Sequence, residues 1–411
     1  MDRLNQLSGF FNGTSKQALL QKNPDDVVIV GAYRTVLAKA GKGSFKDVGS
    51  DYLLAKFLKA FIDKTGVDVN LIEDVAVGNV LNRAAGASEH RGAMLAAGIP
   101  NKAAFVAINR QCSSGLMAIS DIANKIKTGE IDVGIGAGVE AMSKNYGPQS
   151  IPQVDPHLQD DPEMAKCLIP MGITNENVAA KYSIPRAKQD AFAAASYQKA
   201  EKAIKEGKFA DEILPIVSLI EDEDDEEKFN EITATKDEGV RPGVTAEGLG
   251  KIRPAFKSDG TTTAGNSSQV TDGAAAVLLM RRSVAEKHGY KIQAKYIQCS
   301  SVGVPPEIMG VGPAYAIPDV LKKTGLTVDD ISVFEINEAF AAQALYSIET
   351  AGVPIEKVNP NGGAIAIGHP LGATGARQYA TILRLLKPGE FGVTSMCIGT
   401  GMGAASVLVR E

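Results

Sequence analysis

Ala104-Phe105-Val106-Ala107-Ile108-Asn109-Arg110-Gln111-Cys112-Ser113-Ser114-Gly115-Leu116 is the stretch on which the reading of this chain turns. Ala104 to Ile108 is a short apolar run of strand type. From about Gly115 to Lys127 the spacing becomes helical, with Ile119, Ile122, Ala123 and Ile126 on one face. Ile131 to Ile135 reads as the next strand. Strand, helix, strand is the grammar of a parallel sheet covered by helices. Cys112 falls at the junction, where a helix N-terminus carries partial positive charge and free N–H groups. That position is expected to favour thiolate over thiol and to offer an oxyanion site. A small buried cysteine at a helix start would read the same way.

Outward from this unit the alternation continues. Val27-Val28-Ile29-Val30 is a strand, and Leu53, Leu54, Phe57, Leu58 and Phe61-Ile62 mark a helix that ends at Gly66. Val75-Ala76-Val77 is strand-like, and Arg91 to Ala97 is helical. The second half repeats the pattern. Lys64-Thr65-Gly66-Val67 returns as Lys323-Thr324-Gly325-Leu326, and Lys127-Thr128-Gly129-Glu130-Ile131 as Lys387-Pro388-Gly389-Glu390-Phe391. Gly66 to Gly325 spans 259 positions and Gly129 to Gly389 spans 260, which argues for an internal duplication. Each of these glycines is expected to close a helix at C′.

Residues 143–269 break the alternation. They are rich in polar and charged side chains and include a helix from Pro185 to Lys205, with Ser183 as its expected N-cap. The seven consecutive acidic residues from Glu221 to Glu227 read as a solvated loop or hairpin tip. Ala274 to Met280 then resumes the first half.

A net charge of −5 argues against a nucleic-acid coat. Four scattered cysteines, with no CxxC pair, argue against a disulfide framework and a structural zinc site. No apolar run is long enough for a transmembrane helix, and the first residues lack a secretory pattern.

Three further blocks carry chemistry. In Asn361-Gly362-Gly363-Ala364-Ile365-Ala366-Ile367-Gly368-His369-Pro370-Leu371-Gly372 one histidine sits in a glycine-rich turn before a helix from Ala376 to Leu386, as a general base would; lone histidines are also often structural. In Val393-Thr394-Ser395-Met396-Cys397-Ile398-Gly399-Thr400-Gly401 a cysteine ends a strand, and bare backbone at Gly399 offers N–H donors. This block and Gly134-Ile135-Gly136-Ala137-Gly138 both miss GxGxxG spacing, so neither is a dinucleotide fingerprint. In Phe334-Glu335-Ile336-Asn337-Glu338-Ala339-Phe340, Asn337 and Glu338 follow an apolar strand, where α/β proteins place binding groups.

With NRQCSSGL at Asn109, NEAF at Asn337, GHPLGATGAR at Gly368 and CIGTGMG at Cys397, in that order, the chain resembles the degradative thiolases, most of all those of fungal peroxisomes. The resemblance runs from Val27 nearly to the end. It implies an α/β fold of two duplicated βαβαβαββ halves in α-β-α-β-α layers, with an inserted loop domain. Residues 1–24 would be a mobile tail with a possible targeting role, 25–142 the N-terminal half completed by 270–289, 143–269 the CoA-binding insert, and 290–411 the C-terminal half. It also implies an acetyl-CoA C-acyltransferase of β-oxidation that works as a homodimer. Cys112 would be the acylated nucleophile, His369 its base and Cys397 the second acid/base; Asn337 would position a water, and Gly399 would donate an N–H to the acyl oxygen. CoA and substrate would meet Met171, Arg241, Phe256, Ser268, Ala339 and Phe340. CoA is then a substrate, and no metal or redox cofactor is needed.

The chain departs from the family's pattern in places. TAGNAS reads Thr263-Ala264-Gly265-Asn266-Ser267-Ser268, and Val36-Leu37-Ala38-Lys39 stands where relatives often have Ile-Gly-Lys. Arg3-Leu4 starts like a type-2 peroxisomal signal, but Phe10-Phe11 replaces its second half. The expected location is the peroxisome, with the cytoplasm as the alternative. A biosynthetic acetoacetyl-CoA thiolase is the nearest competing reading. A decarboxylating ketoacyl synthase lacks the second cysteine block, and an inactive CoA- or lipid-binding relative would have lost Cys112, Cys397 or His369. Cys167, Cys299, His90, His157 and His288 match no catalytic block and are read as structural.

Overall fold

The structure, a computed structural model, describes residues 15–222, 224–225 and 227–411. Arg3-Leu4 and Phe10-Phe11, on which the targeting expectation rests, lie outside them. The strands are β1 (Val27–Arg34), β2 (Ala38–Lys39), β3 (Asp74–Gly78), β4 (Ala104–Ile108), β5 (Val133–Ala141), β6 (Ile216–Glu221), β7 (Phe229–Ala234), β8 (Thr271–Arg281), β9 (Ala294–Gly303), β10 (Ile331–Ile336), β11 (Phe391–Ile398) and β12 (Met402–Arg410). The main sheet runs β10-β11-β12-β9-β1-β8-β5-β3-β4, with β2 on β8. β3 pairs with β4 and β5 in parallel, and β10 with β11; β8 and β12 return antiparallel.

Two halves meet where β1 touches β9, through only Val28↔Lys295 and Ile29↔Ala294. In the first half the order is β1, helix Ser50–Thr65, β3, helix Ala87–Ala96, β4, helix Ser114–Thr128, β5, β8. In the second it is β9, helix Gly312–Thr324, β10, helix Ala341–Thr350, helix Thr374–Leu385, β11, β12. At the station of β4 the second half keeps a single parallel bridge, Phe334↔Val358.

The layers follow from alternation along the strands, because successive side chains point to opposite faces. On β8, Ala274, Ala276, Leu278 and Met280 pack with Leu53, Leu54, Phe57, Leu58 and Phe61 of the outer helix. Ala275, Val277 and Leu279 face the other way, onto Leu116, Ile119, Ile122, Tyr379 and Ile382. The second sheet repeats this. Ala404 and Leu408 of β12 face that same central cluster, while Ala405, Val407 and Val409 meet Ile317, Val320, Ala344 and Ile348. Helices Ser114–Thr128 and Thr374–Leu385 are thus shared filling between two sheets, and the stack is α-β-α-β-α. Each fully buried Leu, Ile or Phe in it contributes roughly 1.5–3 kcal/mol.

Gly66 and Gly325 cap their helices in the left-handed conformation, as expected. Gly389 does not: the helix ends at Leu385, because Pro388 bars helical geometry just before it, and Gly389 turns the chain into β11. Ser183 is not the N-cap expected of it. It adopts φ +54 and closes the preceding helix Met171–Lys181, while Pro185 opens helix Arg186–Lys205 with its preset φ. Of the acidic run, Glu221 ends β6, and the described residues Asp222, Asp224, Asp225 and Glu227 lie between β6 and β7 of the hairpin.

The polar segment between Met142 and Val270 is tied down by buried charge. Arg34 of β1 is fully buried between Glu212 (2.6 Å) and Asp237 (2.6 and 2.8 Å). Glu338 accepts from Ser196 Oγ (2.6 Å) and Asn359 Nδ2 (2.8 Å), which joins helix Arg186–Lys205 to the second half. Glu338 is therefore a staple between that helix and the second half.

Candidate active site

Leaving β4, the chain turns sharply to present Cys112. Asn109 Oδ1 accepts from the Gln111 N–H (3.0 Å), and Ser114 Oγ accepts from the Arg110 N–H and donates to Gln111 O (2.9 and 2.6 Å). Gln111 is held at φ +47, a conformation that costs a non-glycine residue about 1–3 kcal/mol. Cys112 then sits two residues before helix Ser114–Thr128, only 2% exposed, with the Gly399 N–H donating to its Sγ. Burial pushes its thiol up to about 11, and the negative charge of Glu140 adds to this. The thiolate expected from the helix terminus is thus overturned. Desolvation outweighs the dipole and the N–H donors, so at neutral pH Cys112 is a thiol that needs a base.

His369 is that candidate base. Gly368 before it has φ +110, and a Cβ there would lie 2.3 Å from Thr271 Cγ2. The ring Nδ1 is 2.5 Å from Thr374 Oγ1, and Thr374 in turn donates to Pro370 O (3.1 Å). With its hydroxyl proton committed there, Thr374 accepts from Nδ1–H, which leaves a lone pair on Nε2. Nε2 lies 3.2 Å from Asn337 Nδ2. Burial, reinforced by the charge of Arg377, pushes the imidazole down to about 3, so it is neutral at pH 7. The turn seats directly on the nucleophile's helix. A Cβ on Gly115 would come within 2.5 Å of Gly372 O.

Cys397 lies near the end of β11, fully buried. Burial first, and then the proximity of Cys112, hold its thiol well above the usual range. It packs with Met309 and Ala339, against Met171 and Phe340. Asn337 Oδ1 is buried and accepts no hydrogen bond from the described residues.

A series of contacts leads outward from Cys397. The Ser268 N–H donates to Ala339 O (2.9 Å), and Ser267 bridges Phe340. The Phe340 ring stands edge-on to Phe256 at 6.2 Å, and Phe256, 42% exposed, covers Gly172 next to Met171. Met171, Phe256, Ser268, Ala339 and Phe340 are thus contiguous. Arg241 is exposed and stands apart. Its charge is felt by Tyr197, and Gln269 Nε2 links Gly239 O (2.9 Å) to the segment carrying Ser268.

Three residues that pattern reading passed over belong to this site. Thr374 orients His369; Gln269 O accepts from the His369 N–H (3.0 Å); Glu140 holds the loops around Cys112. Glu140 did leave a signal, as the one acid in the apolar run of β5. Elsewhere, His90 Nε2 pairs with Ser50 Oγ (3.0 Å), His157 is exposed beside Asp155, and the four cysteines are free.

Comparison with known proteins agrees with this geometry. Residues 27–283 match the thiolase N-terminal domain family and residues 290–410 the thiolase C-terminal domain family. The chain is 69% identical to peroxisomal 3-ketoacyl-CoA thiolase A of Candida tropicalis, with 100% of both chains aligned. The crystal structure of the dimeric peroxisomal thiolase of Saccharomyces cerevisiae superposes with a TM-score of 0.90 at 60% identity, covering 96% of this chain and 100% of that one. The acetyl-CoA acetyltransferase of Bacillus anthracis superposes at 0.84 with 36% identity, over 94% and 99% of the two chains. Two cysteines and a histidine at the ends of strands and in the turns of duplicated halves, with both halves matched in sequence and structure, lead to one conclusion: this chain belongs to the thiolase family.

Proposed function

We propose that this chain is a peroxisomal 3-ketoacyl-CoA thiolase of β-oxidation, cleaving 3-ketoacyl-CoA with CoA into acetyl-CoA and a shortened acyl-CoA. The observation that carries the reading is geometric: Leu371 of the His369 turn packs on Cys112, Gly372 seats against Gly115 of the nucleophile's helix, and Gly399, two residues after the buried Cys397, donates its N–H to Cys112 Sγ. In the proposed sequence, His369 Nε2 takes the Cys112 proton as Sγ attacks the 3-keto carbon. The C2–C3 bond then breaks, leaving an acyl thioester on Cys112 and the enolate of acetyl-CoA. Cys397 delivers its proton to the enolate carbon, and acetyl-CoA leaves. The Cys397 thiolate takes the proton of incoming CoA, whose sulfur attacks the thioester; Cys112 leaves and recovers the proton held by His369. Two thiols divide one difficult step into two easier ones.

The Gly399 N–H at Cys112 Sγ supports an oxyanion role beside the Cys112 amide. Protonated His369 and a water held by Asn337 Oδ1 would stabilise the enolate oxygen. CoA would enter past Phe256, Met171, Ser268, Ala339 and Phe340, with Arg241 at its nucleotide end. Every step moves protons and acyl groups, so the scheme uses no metal and no redox cofactor.

A homodimer fits the exposed edge. β4 is the last strand of the sheet, its apolar Ala104 to Ile108 half-exposed and unpaired along one side. Identity of 69% to a peroxisomal 3-ketoacyl-CoA thiolase against 36% to an acetyl-CoA acetyltransferase favours the broad-chain reading and the peroxisome.

The test is a thiolysis assay with CoA and 3-ketoacyl-CoAs from acetoacetyl to long chain, run beside Cys112→Ala and Cys397→Ala. The native enzyme should act on medium and long chains. Cys112→Ala should form no acyl-enzyme; Cys397→Ala should acylate slowly and fail to complete exchange. Activity confined to acetoacetyl-CoA would transfer the assignment to the biosynthetic reaction, and full turnover in both variants would sink the mechanism.

A further inference from the structure

Glu140 is a buried carboxylate that the thiolysis scheme does not use. It is the penultimate residue of β5, fully buried, and its two oxygens are saturated. Oε1 accepts from Asn79 Nδ2 (3.0 Å) and the Leu81 N–H (3.1 Å). Oε2 accepts from the Val80 N–H (3.0 Å) and the Gly372 N–H (2.9 Å). Three donors belong to the segment after β3; the fourth belongs to the turn that carries His369.

These are also the walls of the nucleophile's pocket. Cys112 packs with Met142 and Leu371, and Val80, Leu81 and Ala40 lie against them. Val80 and Leu81 hang from the carboxylate by their N–H groups, and Leu371 directly precedes Gly372. A further link reaches the nucleophile's own loop. Val80 O accepts from Asn109 Nδ2 (3.0 Å), and Asn109 Oδ1 accepts from the N–H of the left-handed Gln111 (3.0 Å). One side chain therefore joins the Cys112 loop of the first half to the His369 turn of the second.

We propose that Glu140 is a positioning residue: through its four neutral donors it fixes the Cys112 loop and the His369 turn relative to each other, and so sets the gap across which the first proton passes. Burying a carboxylate is costly, and neutral backbone pairing would hold two loops more cheaply. The charge has a consequence that mere packing lacks. Burial lifts the Glu140 carboxyl to about 7, so the charge is present across the higher range in which Cys112 titrates; there it adds to the larger effect of burial in disfavouring the Cys112 thiolate. The other titratable groups around this point are Cys397 on β11, His369 on its turn, and Asp272, which pairs across from Ala141 and is bound by Ser143.

This inference rests on the thiolase reading, so its test has one readout that does not. Full-length Glu140→Gln and Glu140→Asp are compared with the native enzyme for thiolysis and for the pH dependence of Cys112 alkylation by iodoacetamide, with the adduct located by peptide mass. A displacement of about 1 Å in such a gap costs about a hundredfold in turnover. Glu140→Gln should therefore lose kcat on that order while KM for CoA stays within about threefold. Its alkylation midpoint should move to lower pH, because the charge opposing the thiolate is gone. Glu140→Asp keeps the charge and loses reach. Its midpoint should stay at the native value, and its kcat should fall between the other two. Should Glu140→Gln fail to fold, Glu140→Asp decides alone, by lower kcat at an unchanged midpoint. Native kcat in Glu140→Gln or Glu140→Asp, or an unmoved midpoint in Glu140→Gln, overturns the proposal. Absence of thiolysis in the native enzyme would overturn the functional reading instead, and the alkylation midpoints would still bear on Glu140.

Discussion

Thr374→Val tests the assignment of the base. The substitution keeps the side chain's shape and removes the oxygen 2.5 Å from His369 Nδ1. In the native protein that oxygen receives the Nδ1 proton, because its own proton goes to Pro370 O. Without it the buried ring has two options. It can keep Nδ1–H with no acceptor, which costs about 1–3 kcal/mol, or move the proton to Nε2 and lose the lone pair that the mechanism needs. At about 1.4 kcal/mol per factor of ten, either route slows acylation by roughly fivefold to 150-fold. Thr374→Ser restores the hydroxyl and should return the rate to within about twofold of native. The assay is a rapid-quench single turnover with a 3-ketoacyl-CoA, reading acyl-Cys112 by intact mass, with thermal melting to verify folding. A folded Thr374→Val enzyme that acylates at the native rate refutes the tautomer assignment, and with it the role of Nε2.

Two other perturbations probe separate parts of the argument. Arg34→Met strands the buried carboxylates of Glu212 and Asp237, and should cost about 3–5 kcal/mol in urea unfolding; an unchanged midpoint would mean that this triad does not hold the insert. Phe256→Ala and Arg241→Ala should raise KM for CoA severalfold while changing kcat less, and an effect on kcat alone would remove both residues from the CoA path.

What could be read from the residues alone was whatever is written locally. The β4–Cys112–helix junction needs one strand pattern, one helix pattern and the residues between them, and the strand runs from Ala104 to Ile108 as read. Gly66 and Gly325 announce their helix ends because a left-handed cap wants glycine. Ser183 and Gly389 misled for one reason: a nearby proline overrode the capping preference. The thiolate expectation failed differently. A helix terminus is visible in sequence, whereas the burial that lifts Cys112 to about 11 is a property of the assembled layers. Glu140 meets Asn79 from 61 positions away and Gly372 from 232, so no local window could reveal the clamp.

The duplication explains why the chemistry sits where it does. Helix Ser114–Thr128 and helix Thr374–Leu385 occupy corresponding stations in the two halves, and both lie in the central layer. The segment entering each helix therefore arrives at the same end of that layer, one bringing Cys112 and the other His369. Asn79 and Asn337, each just beyond a corresponding strand, stand in the same relation. Asn79 donates to Glu140, and Asn337 reaches His369. One copy of the station has become the frame of the nucleophile and the other the frame of the base. On this argument the site is a property of the interface between the halves. Leu371 of the His369 turn helps to bury Cys112, and burial, with the charge of Arg377, keeps His369 neutral. A substitution that loosens that packing, such as a side chain at Gly115 or Gly372, should disable proton transfer before it unfolds either half.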